Sequence, residues 1–164
     1  MDGWDIPCRQ LLWQLGQVTE DDNPLRLKFE REPIDLPPLS WAEALYAEYQ
    51  LLGLSIGDHI MMLYRPLLTG ILSSLELAQQ NHNTLVKVVG PVVMHQAPPT
   101  AKGHHFVTLE DEESMVNIII GPDVYAQYEQ IVRESPLLIV EGTVQKKDNV
   151  INVLMRSASR LSVL

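Results

Sequence analysis

Three histidines and a run of carboxylates lie close together in the second half of the chain. His95 precedes the pair His104-His105, and the acidic run Glu110–Glu113 follows. Imidazole and carboxylate groups bind transition metals and transfer protons. Adjacent residues of a strand point to opposite faces, however, so His104 and His105 are not expected to bind one ion. We interpret the acidic run as a solvated turn and predict no metal site.

No other arrangement of residues in the sequence is typical of a catalytic centre. The single cysteine, Cys8, lies near the N-terminus without a histidine close by, so we interpret it as an unreactive thiol. The sequence shows no glycine-rich phosphate loop, serine nucleophile elbow or carboxylate pair suited to a pocket. We therefore expect a binding protein with no catalytic residues and no cofactor.

The region around Phe106 has a pattern that suits binding. Segments 104–110 and 115–120 alternate between apolar and polar residues on either side of the acidic turn, which predicts a β-hairpin. Alternation places Val107 in the core and leaves Phe106 and Thr108 on the outer face. An exposed ring on such a face can stack on an unpaired base, an interaction worth about 1–3 kcal/mol per base.

Two further side chains are predicted to share this outer face. Asn117, placed opposite Phe106 across the hairpin, would contact base edges, and Lys87 on the first strand would contact phosphate. Two alternatives remain open: Phe106 covers one end of a barrel or packs under a helix, and Lys102, Lys146 and Lys147 serve only solubility. The candidate nucleic-acid-binding residues are Lys87, His95, Lys102, His105, Phe106, Thr108, Asn117, Lys146, Lys147 and Arg156.

The periodicity of the sequence changes from helical to extended at Thr84. Before it, a proline-containing loop spans about 19–39, and Ser40 with Glu43 forms a capping box. The predicted helices cover 7–18, 41–52, 58–63 and one turn through Leu77 capped by Ser73 or Ser74. The predicted strands cover 85–94, 104–110, 115–120, 137–145 and 150–154, with a helix at 123–134 whose Val124, Tyr128, Ile131 and Val132 face inward.

Five strands with a helix between the third and fourth strands is the element order of the OB fold, a partly open Greek-key barrel. We therefore predict an α+β protein of two parts. Residues 1–83 form a small α-helical segment, and residues 84–164 form a five-stranded OB-fold β-barrel that binds nucleic acid.

The net charge of −9 is unevenly distributed along the chain. Residues 1–83 carry −7 and residues 84–164 carry −2, and four of the acids in the second part belong to the acidic run. Phosphate contacts dominate non-specific affinity for nucleic acid, so a basic face is expected only in the second part. The first part, being acidic, is a candidate docking surface for a protein partner.

Several features indicate an intracellular location. No apolar run approaches the roughly 20 residues that a membrane-spanning helix needs, and the acidic N-terminus lacks the pattern of a secretory signal. A lone cysteine excludes an internal disulfide framework and suits a reducing compartment. We expect a cytoplasmic protein that does not contact membranes.

Four segments of the sequence follow a known family in the same order. They are Leu11–Gly16 (LLWQLG), Glu48–Met61 (EYQLLGLSIGDHIM), Pro98–Glu112 (PPTAKGHHFVTLEDE) and Glu141–Gln145 (EGTVQ). In these segments the chain resembles the C-terminal region of the bacterial error-prone DNA polymerase, a relative of the replicative polymerase III alpha subunit. The resemblance covers nearly the whole chain.

The resemblance implies an OB domain that binds single-stranded DNA, with RNA as an alternative ligand, in DNA replication and repair by translesion synthesis. It implies an aromatic at the Phe106 position and an amide near Asn117 on the binding face. It also implies a polymerase core, or another replication or repair protein, as partner, and the acidic N-terminal segment is the candidate contact. A polymerase palm with its metal-binding aspartates does not fit in this chain, so we expect no polymerase activity from it alone. The alternative is a protein-interaction module with reduced or lost DNA binding.

Three cations of the family pattern are replaced in this chain. The family's R-Q-R-P stands here as His95-Gln96-Ala97-Pro98, and Thr143 replaces the arginine of EGRVQ. Ile60 replaces the proline of the family's HPM as well. Because each lost arginine removes one expected phosphate contact, we expect weaker DNA binding with a flatter salt dependence.

Overall fold

The computed structural model describes Arg9, Trp13 and residues 36–147 and 150–161. The predicted helix at 7–18 is described only at Arg9 and Trp13, both helical, and most of the predicted loop at 19–39 lies outside the described residues.

The chain divides into two compact units, Met1–Gly57 and Asp58–Leu164. The division falls earlier than the boundary predicted after residue 83, so residues 58–83 group with the barrel.

In the first unit, helix α1 spans Trp41–Leu52. The Ser40 side chain accepts a hydrogen bond from the Glu43 N–H, and the Glu43 carboxylate accepts one from the Ser40 N–H at 2.9 Å. Gly53 ends the helix in the left-handed region, at φ 69°, where a glycine has no steric penalty. The predicted capping box and helix end are confirmed.

Short helical segments open the second unit. Helix α2 spans Met61–Tyr64 and continues as a 3₁₀ turn over Arg65–Leu67. Helix α3 spans Ser74–Gln79 and begins with a second capping box, formed by Ser73 and Glu76. The prediction that one of the two serines caps a helical turn here is confirmed, and the capping residue is Ser73. Within the described residues, none of the helices is both long and apolar enough to cross a bilayer.

Five strands form a closed barrel in the order β1-β2-β3-β5-β4. The strands are β1 Leu85–Gln96, β2 His105–Glu110, β3 Met115–Ile120, β4 Leu137–Lys147 and β5 Val150–Arg160, and helix α4, Pro122–Glu134, lies between β3 and β4. The β3–β5 pairing is parallel and the others are antiparallel. This is the predicted OB-fold architecture. Strand β5 runs six residues beyond its predicted end at Leu154 because it pairs with almost the full length of β4.

Strand β1 exchanges partners along its length, which lets the barrel close. Residues 85–91 pair with β4 and residues 92–96 pair with β2, with a register shift between Val92 and Met94. At the point of exchange, Gly90 lies so close to β2 that a Cβ there would be 2.2 Å from the Glu110 carbonyl oxygen. The close approach of the two strands therefore depends on the absence of a side chain at Gly90.

Alternate residues of the strands fill the barrel, and helix α4 covers one end of it. The buried strand residues include Val88, Val107, Leu109, Ile118, Ile120, Leu138, Val140, Val144, Val153 and Met155. The predicted inward position of Val107 is confirmed, and Ile118 on β3 is buried as well. On α4, Val132 is buried as predicted, and Tyr125, which was not predicted, is buried too.

The acidic turn between β2 and β3 is anchored to the preceding helices. Asp111 is 5% exposed, and its carboxylate accepts hydrogen bonds from the Ser74 N–H at 2.6 Å and the Ser74 Oγ at 2.8 Å. Arg65 forms an ion pair with Glu112. The interpretation of this run as solvated is wrong for Asp111. The turn packs against helix α3, and Ser74 of that helix donates hydrogen bonds to the Asp111 carboxylate.

Candidate nucleic-acid interface

The outward side of the sheet carries two neighbouring rows of side chains, each running across all five strands as successive cross-strand partners. The apolar row is named after its three central residues and consists of Gln96, Phe106, Ile119, Leu154 and Thr143. The amide row is named after its last three residues and consists of Met94, Thr108, Asn117, Asn152 and Gln145. Neither row contains an ionisable side chain.

Phe106 lies in the middle part of the apolar row and is open to solvent. Its side chain is 38% exposed, whereas the neighbouring Val107 is 1% exposed. The predicted alternation, with Phe106 outward and Val107 inward, is confirmed. Ile119 lies directly opposite Phe106 on β3 and is half-buried, so the ring has apolar support on one side and solvent on the other.

Asn117 occupies a different position from the one predicted. It lies opposite Thr108, whose Oγ1 donates a hydrogen bond to the Asn117 Oδ1 at 3.4 Å. Phe106 is its diagonal neighbour on the same face, which is still within reach of a long side chain. The predicted pairing of Asn117 with Phe106 is wrong by two residues. The length of the turn sets the register of the hairpin, and alternation alone does not give it.

Lys87 is not brought to this face. It lies on the part of β1 that pairs with β4, directly opposite Glu141, and its Nζ is 3.0 Å from the Glu141 Oε2. Alternation alone predicts that Lys87 and Phe106 share a surface. It shows that both side chains point outward, but it does not show which strand lies beside Lys87. The exchange of partners in β1 separates the two residues.

His95 and His105 form a pair beside Tyr125 of helix α4, with His95 exposed and His105 half-buried. His95 lies opposite the buried Val107 in the register, and its Nε2 is 2.9 Å from the His105 Nδ1. The His105 ring stacks on Tyr125, with centroids 3.4 Å apart and planes at 9°. Both histidines therefore lie on the inward side of the strands, opposite to Phe106, and the structure does not group them with the outward candidates.

Burial and nearby positive charge disfavour the protonated form of both rings. Burial lowers the pKa of His95, and repulsion from His105 and Arg133 lowers it further. Burial and Arg133 also lower the pKa of His105, against a smaller opposing effect of Glu129. His104 turns elsewhere, with its Nδ1 3.0 Å from the Ala101 carbonyl oxygen. Across residues 36–147 and 150–161, no three metal-binding side chains converge.

The predicted cations differ in what they contact. Lys146 is held at helix α3, where its Nζ donates to the Ala78 carbonyl at 2.7 Å. Lys102 follows the 3₁₀ turn in the β1–β2 loop in a left-handed conformation, at φ 50°. Lys147 and Arg156 are exposed on β4 and β5. Among the described residues, Lys102, Lys147 and Arg156 form no ion pair.

Sequence reasoning missed part of both rows. Asn152 and Leu154 lie beside Asn117 and Ile119 through the parallel β3–β5 pairing. Alternation in β5 indicates that Asn152 points outward, because its neighbour Val153 is apolar and buried. No local signal indicates which strand lies beside it, since the two strands are about thirty residues apart in sequence.

The closed five-stranded barrel, the helix between β3 and β4 and the outward face of β2 and β3 define an OB-fold domain. No protein-family model matches the chain. The chain is 35% identical over 159 residues to the error-prone DNA polymerase of Anaeromyxobacter sp. (strain K), a match that covers 94% of this chain and 14% of that polymerase. It is 38% identical over 129 residues to the error-prone DNA polymerase of Pseudomonas paraeruginosa (strain DSM 24068 / PA7), covering 77% of this chain and 13% of the relative.

The chain is therefore a homologue of the C-terminal region of the bacterial error-prone DNA polymerases, as its motifs predicted. It spans only 14% of the length of the first of these relatives, and the matched part does not include their catalytic region.

Among solved structures, the fold is similar to asparaginyl-tRNA synthetase from Pyrococcus horikoshii, with a TM-score of 0.49 and 14% identity, over 59% of this chain and 23% of that chain. Nothing about function follows from a likeness of this degree. The fold assignment rests on the strand order.

Proposed function

We propose that this chain is a non-catalytic module that binds single-stranded DNA on the outward face of β2 and β3. The observation that carries the proposal is the exposed Phe106 ring, which lies on the uncharged outward face formed by the apolar row and the amide row. OB folds bind oligonucleotides on this face and on the loops that join β1 to β2 and β4 to β5. An aromatic ring there stacks on any base, because every base has a π-face.

The neighbouring groups support the same ligand. Thr108 and Asn117 lie one row away and offer hydroxyl and amide groups to base edges. Lys102 lies in the β1–β2 loop, and Lys147 precedes the β4–β5 turn, so each is placed to contact a phosphate. RNA has the same bases and phosphates and is the alternative ligand.

The homology suggests where such binding is used. We place this module in translesion synthesis during DNA replication and repair, beside a polymerase core, in the bacterial cytoplasm. The acidic residues 1–83, with a charge of −7, are the proposed contact with that core.

A second function is favoured by the charge of the chain. The net charge of −9 and the replacement of three family arginines reduce attraction to phosphate. These features suit a protein-interaction module of a polymerase complex in which DNA binding is reduced or lost.

Fluorescence anisotropy separates the two functions. The full chain is titrated into labelled oligo-dT, oligo-rU and a DNA duplex at about 50 mM and 200 mM salt. The proposal predicts micromolar or tighter binding to single strands and weaker binding to the duplex. Absence of binding at low salt, together with capture of a purified error-prone polymerase core by the full chain, would replace the first function with the second.

A further inference from the structure

We propose that the amide row reads the edges of unpaired bases, so that this face binds DNA mainly through its bases and discriminates among base sequences. The inference rests on the proposed function and deepens it. It names the part of the ligand that is recognised, which is the hydrogen-bonding edge of the base.

The geometry of the amide row supports this reading. Asn117, Asn152 and Gln145 are successive cross-strand partners on β3, β5 and β4. Neighbouring strands lie about 4.8 Å apart, so the three amides span roughly 10 Å of the face. Within residues 36–147 and 150–161, Asn117 only accepts a side-chain hydrogen bond, and the other two amides form none. Their N–H groups are therefore free to donate to a ligand as far as the described chain is concerned.

The chemistry of an amide matches that of a base edge. Each Asn or Gln side chain offers two donors and one acceptor group, and such an amide can pair with two atoms of adenine at once. The apolar row lies about 7 Å away along each strand. A base stacked on Phe106 would therefore lie nearest to Asn117, and the following bases of a strand that runs across the sheet would come near Asn152 and Gln145.

The charges around the face argue against recognition through the backbone. Both rows are uncharged, and Glu110 lies outward two residues from Thr108, where its carboxylate repels phosphate. Only Lys102, Lys147 and Arg156 border the face as cations without an ion pair to a described residue. Three phosphate contacts give a slope of log affinity against log salt of about −2 at most. Single-strand binders that grip the backbone combine strong salt dependence with tolerance of any base.

The test uses the full chain and labelled oligonucleotides of dA, dC and dT at several salt concentrations. We expect affinities that differ by about tenfold or more among the three and a salt slope no steeper than about −2. Asn152→Ala should weaken binding to the preferred oligonucleotide about tenfold and reduce the difference between bases. Gln145→Ala should act in the same direction, and thermal melts check that both variants fold.

Gln127→Ala is the matched control, because Gln127 is an exposed amide on helix α4. It should bind as the unmodified chain does. Equal affinity for the three oligonucleotides with a salt slope near −4 or steeper would overturn the inference and leave the proposed function in place, as would unchanged binding by both amide variants. Absence of binding to every oligonucleotide would overturn the proposed function, and the inference with it.

Discussion

Asp111 and Ser74 join the β2–β3 turn to helix α3 through two hydrogen bonds. The carboxylate accepts from the Ser74 N–H at 2.6 Å and from the Ser74 Oγ at 2.8 Å. The same carboxylate accepts from the N–H groups of Glu113 and Ser114 within its own turn. One buried side chain therefore closes the hairpin that carries Phe106 and fixes it to the segment before the barrel.

Asp111→Ala should lower the free energy of unfolding by about 2–4 kcal/mol. The substitution leaves the buried N–H and O–H donors of Ser74 without an acceptor, and each such group costs about 1–3 kcal/mol. Urea denaturation followed by circular dichroism measures the change. Glu113→Ala, at an exposed position of the same turn, is the control and should change stability by less than about 0.5 kcal/mol. Equal stability of the two variants would contradict the role assigned to Asp111.

The same carboxylate predicts a stability difference that depends on pH. Burial alone would raise the pKa of Asp111, but hydrogen bonds from Ser114, Ser74 and Glu113 outweigh it and lower the pKa. A lowered pKa in the folded state stabilises the protein above the unfolded value of about 3.9. That contribution is lost as the pH falls through the folded value, when the carboxylate is protonated.

Unfolding free energies of the unmodified chain and of Asp111→Ala, measured between about pH 6 and pH 2, test this prediction. The difference in unfolding free energy between the two proteins should be constant near pH 6 and should decrease below about pH 4. A difference that stays constant to the lowest pH would contradict it.

Gly90→Ala should destabilise the barrel by about 3 kcal/mol or more. The added Cβ would lie 2.2 Å from the Glu110 carbonyl oxygen, a backbone atom that cannot move without distorting β2. Gly57→Ala is the matched control, since a Cβ there meets no atom within 4 Å. Thermal melts of both variants measure the effect. Similar melting temperatures for the two would show that β1 and β2 do not approach as closely as described.

Lys102→Ala should weaken binding of single-stranded DNA and flatten its salt slope by about 0.7, the effect of one lost phosphate contact on a single strand. Lys87→Ala should leave both quantities unchanged, because Lys87 is paired with Glu141 away from Phe106. The two lysines are matched in chemistry and differ in place, so anisotropy titrations of the two variants compare the positions directly. A larger effect at Lys87 than at Lys102 would contradict the proposed location of the interface.

The sequence predicted the features that depend on local pattern. The capping box at Ser40, the serine cap at Ser73 or Ser74, the hairpin and the inward position of Val107 all follow from spacing within a few residues. The outward position of Phe106 follows in the same way.

The remaining features depend on contacts between distant segments. Asn152 joins the face only through the parallel β3–β5 pairing. The separation of Lys87 from Phe106 depends on the exchange of partners in β1, and the inward position of His95 depends on the register shift after Val92. Asp111 is buried because helix α3 packs on its turn. No local pattern in the sequence carries this information.

Phe106→Ala, assayed by anisotropy with labelled oligo-dT, tests the central claim most directly. Leu75→Ala is the control, since Leu75 is an exposed apolar residue on helix α3 and lies outside both rows. Both variants should melt as the unmodified chain does. We predict that Phe106→Ala weakens binding by about tenfold or more, the effect of one lost stacking contact, and that Leu75→Ala binds normally. Unchanged affinity of a folded Phe106→Ala variant would contradict the account.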